Sequence, residues 1–300
     1  MKPVLVAVMG PTASGKTDLA EALAERLDAQ LINGDAFQAY RGMDVGTAKP
    51  ERKELYELLD IKQPNEPYGV GEFCSRARSI LEGLWEHGRS AVVVGGTGLY
   101  LRALFEQYSD LMPEPDPELR QRLQQKLQAE GIDALLQELW EADPEAYKRV
   151  DHRNPVRVTR ALERALDRRT ASPVVLPPFV RHKFGLLRNK HDLLSRIEER
   201  TRRMVQNGWV QEVQALVAEG YGPGDPGFRA IGYVEFAGYL AGRTDLEEAI
   251  ATAIAETRRF AKRQRTWLRS EPGLRHLDPT EPELVKQAIE AIRSVTAIGD

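Results

Sequence analysis

Cysteine is almost absent from this chain of 300 residues: Cys74 stands alone. That excludes an internal disulfide and a multi-cysteine metal site, and it fits a reducing compartment. Strong charge of either sign is missing too. With 42 Lys and Arg against 45 Asp and Glu, the formal net charge is −3. Nothing therefore draws nucleic acid to the molecule as a whole, and such a partner must be held by local basic surface. No apolar stretch approaches the length of a membrane span. The apolar run at the N-terminus is too short for a signal peptide and leads straight into a loop motif, so the expectation is a cytoplasmic protein without a membrane partner. Internal repeats and low-complexity tracts are also lacking. What remains, 42% hydrophobic and 29% charged residues with 18 prolines spread along the chain, is the composition of a globular protein of one large or two modest domains.

The most informative segment present is Gly10-Pro11-Thr12-Ala13-Ser14-Gly15-Lys16-Thr17. It follows the apolar run Val4–Val8 and opens a helical pattern with Leu19, Leu23 and Leu27 four apart. Strand, Gly-x4-Gly-Lys-Thr, helix is the context of a phosphate-cradling loop. Glycines let backbone amides converge on phosphate oxygens, the helix N-terminus adds partial positive charge, and Lys16 adds a full one. The Thr17 hydroxyl is placed to meet a phosphate-bound Mg2+. A diphosphate or triphosphate ligand is expected.

Residues 1–105 alternate continuous apolar runs (Val4–Val8, Gln30–Asn33, Ala91–Val94) with helical patterns, including one near Phe73–Glu86. Such runs read as a parallel sheet covered on both faces. Pro113, Pro115 and Pro117 interrupt the pattern, and a second break runs from Ser172-Pro173 to Pro177-Pro178. Between them, Glu118 to about Arg169 reads as helix only. Lys183–Leu187 then reads as a returning strand, followed by helices to the C-terminus. The expected fold is α/β: a P-loop NTPase-like parallel sheet core flanked by helices (residues 1–111 and 181–300) with an all-helical insertion domain at 112–180.

P-loop enzymes that handle nucleotides also carry an apolar strand ending in Asp. Here Val92–Val94 ends instead in Gly95-Gly96-Thr97-Gly98, and the nearest strand-end acid is Asp35, after Leu31–Gly34. Strand carboxyl ends line the ligand crevice, so Asp35 is expected beside the loop, holding Mg2+ or accepting a proton, unless it merely caps a helix. The glycines at 95–98 either admit a close ligand or simply make a tight turn. Two basic rows stand out: Arg153, Arg157, Arg160, Arg164 and Arg168, capped by Asn154-Pro155, and Arg258, Arg259, Lys262, Arg263, Arg265 and Arg269 with Trp267 among them. Either row is a solvated face or a phosphate-backbone contact. Arg229 lies in the glycine-bounded loop Gly227–Tyr233, as a diphosphate contact or as ordinary surface.

Taken together and in order, several stretches resemble the bacterial tRNA dimethylallyltransferase family over nearly the whole chain. They are Gly10–Thr17, Gly34-Asp35 through Gly42-Met43-Asp44-Val45-Gly46-Thr47-Ala48-Lys49-Pro50, Gly95–Tyr100, Arg229–Tyr233 and Ala261–Leu268. The resemblance implies transfer of a dimethylallyl group from its diphosphate to N6 of adenosine 37, beside the anticodon of tRNA. It diverts the phosphate loop from nucleotide to prenyl diphosphate, which accounts for the missing second acid. It implies Asp35 as general base and Lys16, Thr17, Arg229 and Mg2+ as stabilisers of the leaving diphosphate. It further implies tRNA contacts by Asp35, Ala36, Phe37, Gln38, Thr97 and Arg120, by Val156, Arg157, Val158, Thr159 and Arg160, and by Arg258, Arg259, Phe260, Ala261, Lys262 and Arg263. On this reading the helical insert clasps the anticodon stem-loop, and a monomer suffices. The sequence departs from the family at Ala36, where Ser is usual, so a hydroxyl contact to substrate is missing there. Two rival readings remain open at the level of residues: a small-molecule kinase using the loop to bind ATP, and a non-catalytic RNA-binding module with an inert loop.

Overall fold

The computed structural model describes residues 2–108, 116–167 and 175–296. Its residues form two compact units, one of 1–107 with 175–300 and one of 108–174.

In the first unit six parallel strands form one sheet: β1 (Val4–Met9), β2 (Ala29–Asn33), β3 (Tyr56–Glu57), β4 (Ser90–Gly95), β5 (Val180–Leu186) and β6 (Leu274–Leu277), in the order β3-β2-β4-β1-β5-β6. Every residue of β1 is buried, because helices cover both faces and leave no side of the strand for polar residues. On one face Val4, Val6 and Val8 pack with Leu19 and Leu23 of α1 (Lys16–Leu27) and Ile292 of α12 (Leu284–Thr296). The alternate residues turn to the opposite face. There Val93 and Leu101 of α3 (Gly98–Phe105) crowd Gly34, and α2 (Val70–Glu86) packs on α3 and β4. The remaining helices of this unit are α8 (Lys190–Gln206), α9 (Trp209–Ala218), α10 (Tyr233–Leu240) and α11 (Leu246–Arg269). The last three share a second core, built on Trp209, Phe236 and Ile254, with Tyr40 and Met43 of the loop after β2.

Register fixes what the sheet presents at its carboxyl edge. Met9 lies opposite both Gly95 and Gly185, and Asn33 opposite Val94. The loops after β2, β4, β1 and β5 therefore leave side by side at this edge.

The second unit is all helical: α4 (Pro117–Glu130), α5 (Ile132–Ala142), α6 (Pro144–Arg149) and α7 (Pro155–Leu166) around Leu123, Leu135, Leu139, Val158 and Leu162. Three of the four helices begin alike. Asp116, Asp143 and Asn154 each accept a first-turn amide through the side chain, and each is followed by a proline whose missing N–H costs nothing there. Pro117, read as part of a break, is thus the first residue of α4.

Two sequence expectations shift. The returning strand begins at Val180, paired with Val4, and the Leu176 amide bonds to the Gln107 side chain at 2.9 Å. Residues 175–180 accordingly belong with the sheet, although the sequence assigned them to the insert. Strand β6 was not anticipated at all: in Leu274-Arg275-His276-Leu277 only Leu277 is buried, so an edge strand this polar carries no apolar run to find. The prolines at 113 and 115, Arg168 and Ser172-Pro173 lie outside the described residues. Among the described residues no helix is long and apolar enough to cross a membrane.

Candidate active site

The loop between β1 and α1 is wound tightly. Ala13 and Gly15 both take positive φ, 62° and 91°, a conformation free to glycine and strained by about 1 kcal/mol for alanine. Ser14 is fully buried with its Oγ unpartnered, turned toward Gly10, where a Cβ would overlap it. The hydroxyl of Thr17, on the first turn of α1, makes no hydrogen bond among the described residues. Desolvation lowers the Lys16 ammonium to about 8, with the nearby Asp35 carboxylate opposing the shift and the Arg200 guanidinium adding to it. Lys16, Asp35 and Arg200 are thus electrostatic neighbours.

Asp35 is set by the end of β2. The buried Asn33 side chain accepts the Asp35 amide and donates to the Asp35 carbonyl, both at 3.0 Å, and to the Leu58 carbonyl at 3.1 Å. One Asp35 carboxylate oxygen accepts the Phe37 amide at 3.0 Å, a local turn with no helix following, so the helix-cap alternative is not realised. The other lies on the side of Gly96, 3.6 Å from where a Cβ would stand. The glycines of 95–98 are close-approach positions. A Cβ on Gly95 would overlap the Gly34 carbonyl, one on Gly96 the Gln264 amide, and one on Gly98 the Trp267 ring. Thr97 ties the β4 end to the β2 end, its Oγ1 accepting the Ala36 amide at 3.2 Å.

Helix α11 crosses these strand ends, which explains the Gln-Arg-Thr-Trp motif. Gln264, 6% exposed, accepts the Thr12 amide at 3.0 Å and donates to the Gly96 carbonyl at 2.9 Å, bridging the phosphate loop to the glycine turn. The Arg102 guanidinium stacks on Trp267, 4.1 Å from the ring centroid, and is held by Glu271 at 2.7 Å. From the other side, Arg188, Arg196 and Arg200 reach the loop. The sequence pointed to none of these three: Arg188 stands alone just after β5, and α8 interleaves Arg196 and Arg200 with Glu198 and Glu199 and reads as a solvated mixed-charge face; the four-residue step from Arg196 to Arg200 was the signal available.

The loop after Asp35 is braced rather than free. Gln38 donates both amide hydrogens, to the Thr47 and Ala48 carbonyls at 3.1 and 3.0 Å, which leaves its oxygen as its one open hydrogen-bonding group. Lys49, with a side chain 1% exposed, bonds to the Tyr40 carbonyl at 2.6 Å, to Asp44 at 2.8 Å and to Asp60. Glu212 accepts the Asp44, Val45 and Gly46 amides and the Tyr233 hydroxyl. The Gly-Met-Asp-Val-Gly-Thr-Ala-Lys-Pro stretch is a scaffold for residues 37–40. Burial pushes the Tyr40 hydroxyl up to about 12, while Arg229 draws it back. Arg229 therefore sits near Tyr40. It is exposed, and its side chain makes no hydrogen bond or ion pair among the described residues.

The expected basic contacts fall in two places. In the second unit, Glu163, 6% exposed, binds Arg120 at 2.9 and 3.3 Å and Arg160 at 2.8 Å. Arg157, Val156 and most of Arg160 face solvent on α7, with Thr159 half-buried, whereas the Val158 side chain is core and offers a partner nothing. In the first unit Arg258 pairs with Glu198 at 2.7 Å, Arg259 pairs with Glu256, and Arg263 lies over Phe260. Lys262 is exposed, and the Ala261 side chain is buried. No cluster of three or more His, Cys, Asp or Glu suited to a metal occurs among the described residues. Cys74 is buried, its thiol pushed up to about 12.

The chain is similar to known proteins over nearly its whole length. The family model described as IPP transferase matches residues 38–271, and one described as isopentenyl transferase matches residues 3–62. A tRNA dimethylallyltransferase of Symbiobacterium thermophilum is 40% identical over 97% of this chain and 94% of its own length. The crystal structure of the full-length tRNA isopentenylpyrophosphate transferase from Bacillus halodurans superposes with a TM-score of 0.71 at 36% identity, covering 99% of this chain and 96% of that one. A eukaryotic dimethylallyltransferase captured acting on tRNA shares the fold, with a TM-score of 0.80 at 23% identity over 100% of this chain and 80% of its own.

Proposed function

This chain belongs to the IPP transferase family of tRNA dimethylallyltransferases, prenyl-transferring enzymes that modify tRNA, and from that premise we propose how its own residues carry out the reaction. The substrates are dimethylallyl diphosphate and the anticodon stem-loop of a tRNA, and the acceptor is N6 of adenosine 37. The observation that carries the mechanism is a single strand-end carboxylate, Asp35, within electrostatic range of the phosphate-loop lysine.

The diphosphate lies in the Gly10–Thr17 loop, on its amides and on Lys16. The adenine N6 lone pair forms the new bond to the allylic carbon as the carbon–oxygen bond breaks, and the diphosphate departs with that electron pair. Loop amides and cations aimed at the leaving oxygens stabilise the charge as it grows. Asp35 hydrogen-bonds to the amine and takes its proton as the bond forms. The residues present suit Mg2+: a free Thr17 hydroxyl beside phosphate oxygens is a hard oxygen donor set, and the ion when bound supplies countercharge to the diphosphate. Arg229 contributes from the Tyr40 side, reaching the diphosphate from an exposed position that costs it no ion pair. The adenine must leave its stack to reach a carbon at the strand ends, at a cost of a few kcal/mol that is lowest for a loop base. The residues expected to hold the tRNA are Ala36, Phe37, Gln38 and Thr97 near the base, and the arginines of α7 and α11 on the backbone. The site of action is the cytoplasm, where its tRNA substrate is found, and one copy of the chain suffices.

The test is mass spectrometry of nucleosides from unmodified tRNA incubated with the protein, dimethylallyl diphosphate and Mg2+ without ATP. Dimethylallyl-adenosine at position 37 is expected; unmodified tRNA alongside ATP turnover on a metabolite would move the assignment to the kinase.

A further inference from the structure

Gln264 is the one polar side chain among the buried residues of α11, in a row with Ala253, Ala261 and Leu268. Lys262 and Arg263 beside it are exposed, so the turn of the helix separates the residue that faces the strand ends from those that face solvent. A buried side-chain amide must find partners. Gln264 takes one from each of two loops: its oxygen accepts the Thr12 amide at 3.0 Å, and its nitrogen donates to the Gly96 carbonyl at 2.9 Å. These partners fix which end is which, since an N–H needs an acceptor and a carbonyl needs a donor. Position 96 must lack a side chain for this. A Cβ there would stand 2.3 Å from the Gln264 nitrogen and 3.6 Å from an Asp35 carboxylate oxygen. The amide and the carboxylate thus flank the same piece of backbone.

The strands do not hold these two loops together. Pairing of β1 with β4 ends at Met9 and Gly95, and no hydrogen bond among the described residues runs directly from residues 10–17 to 95–98 or to 34–38. The β4 turn, by contrast, is tied to the end of β2. The Val94 carbonyl accepts the Gly34 amide at 2.8 Å, and Thr97 Oγ1 accepts the Ala36 amide at 3.2 Å. Asp35 lies between those two ties. One side chain therefore joins the loop that receives the leaving diphosphate to the turn that carries the base. We propose that Gln264 is a positioning residue for prenyl transfer: it sets the separation between the phosphate loop and Asp35 while touching neither substrate. The step needs the amine nitrogen, the allylic carbon and the leaving oxygen in line, and different loops hold the two ends of that line. Gln264 neither gains nor loses a proton, and the Thr12 amide it occupies is withdrawn from the anion cradle.

This role rests on the prenyl-transfer reading and deepens it. It is tested on the full-length protein with Gln264→Leu, which fills similar space without either hydrogen bond, and Gln264→Glu, which keeps the acceptor for Thr12 and adds a carboxylate beside Asp35. Prenyl transfer to tRNA is followed in the steady state and as a function of pH. For Gln264→Leu, kcat is expected to fall roughly tenfold to a hundredfold, with the KM values for dimethylallyl diphosphate and tRNA within about twofold of wild type. For Gln264→Glu, the acid limb of the kcat/KM profile should move to higher pH, because a like charge opposes ionisation of Asp35. The groups already facing Asp35, namely Lys16, Arg200, the Tyr100 hydroxyl and the Phe37 amide, are the same in both proteins, so the shift reports the added carboxylate alone. An unchanged kcat in Gln264→Leu overturns the proposal, and so does a loss carried by a raised KM for either substrate, the mark of a ligand contact. Should Gln264→Leu fail to fold, the Gln264→Glu profile decides, and an unmoved acid limb rejects the placement beside the base. If wild type itself prenylates no tRNA, the reaction assigned above falls and this role falls with it; an active wild type with an indifferent Gln264→Leu sinks the positioning role alone.

Discussion

At the scale of single residues, the site depends on two opposite charges placed close together. Asp35 has one oxygen engaged by the Phe37 amide and the other directed toward the glycine turn, so removing its charge leaves the local turn its acceptor. Asp35→Asn is therefore expected to lower kcat by roughly a hundredfold or more, the usual contribution of a general base, with tRNA affinity nearly unchanged. Single-turnover rates and filter binding separate the two, and an unchanged rate removes Asp35 from the chemistry. Lys16 gives a pH signature. Its ammonium is lowered to about 8 in the free site, and a bound diphosphate favours the charged form. Diphosphate affinity should be level below about pH 8 and fall as the pH rises through it, by at most about tenfold per unit. Calorimetry with inorganic diphosphate between pH 7 and 9.5 checks this; an affinity rising over that range contradicts the Lys16 role. Asp35 and Lys16 were both legible in sequence, because strand-end placement is a local property. Arg200 and Gln264 were not. Each acts on a residue more than 180 positions away, and only packing brings them there.

At the scale of elements, α7 combines a capped start, a buried stripe and an exposed row of arginines. Asn154 accepts the Arg157 amide, and Val158 and Leu162 fill the core, which forces Arg157 and Arg160 outward. The structure distinguishes these two arginines, which in sequence look alike. Arg160 is shared with Arg120 on Glu163, whereas Arg157 has no side-chain partner among the described residues. Arg157→Ala should weaken tRNA binding and lower its salt slope by about one, the loss of a single phosphate contact. Arg160→Ala should do the same and also leave the buried Glu163 with a single arginine, so it alone should lower the unfolding temperature measurably. An unaffected salt slope in both variants reduces the row to a solvated face. Helix α11 was read from its charges, but its function in the fold comes from the residues between them: Gln264 and Trp267 fit against Gly96 and Gly98, positions where no side chain could stand.

At the scale of the whole molecule, the chain leaves the first unit at Gln107 and is back in it by Leu176, which the Gln107 side chain holds. Replacing residues 109–174 with a short glycine-rich linker should therefore preserve diphosphate binding and abolish prenyl transfer to tRNA; loss of both would mean that the first unit does not fold without the second. Sequence by itself determined the parallel sheet, the phosphate loop and its strand-end acid, because a strand buried on both faces must be continuously apolar and an anion cradle must be rich in glycine. It also determined that the stretch between the two proline breaks is helical, through its lack of any strand-like run and, for its last helix, the Asn154-Pro155 start. Tertiary structure alone decided that β6 exists, that the Gly-Met-Asp-Val-Gly stretch is a scaffold closed by Glu212, and that Arg200 and Gln264 join the loop. The physical reason is common to all of these. A periodic pattern reports which face of an element is buried, whereas a single polar side chain acquires its meaning from the partner that folding sets opposite it.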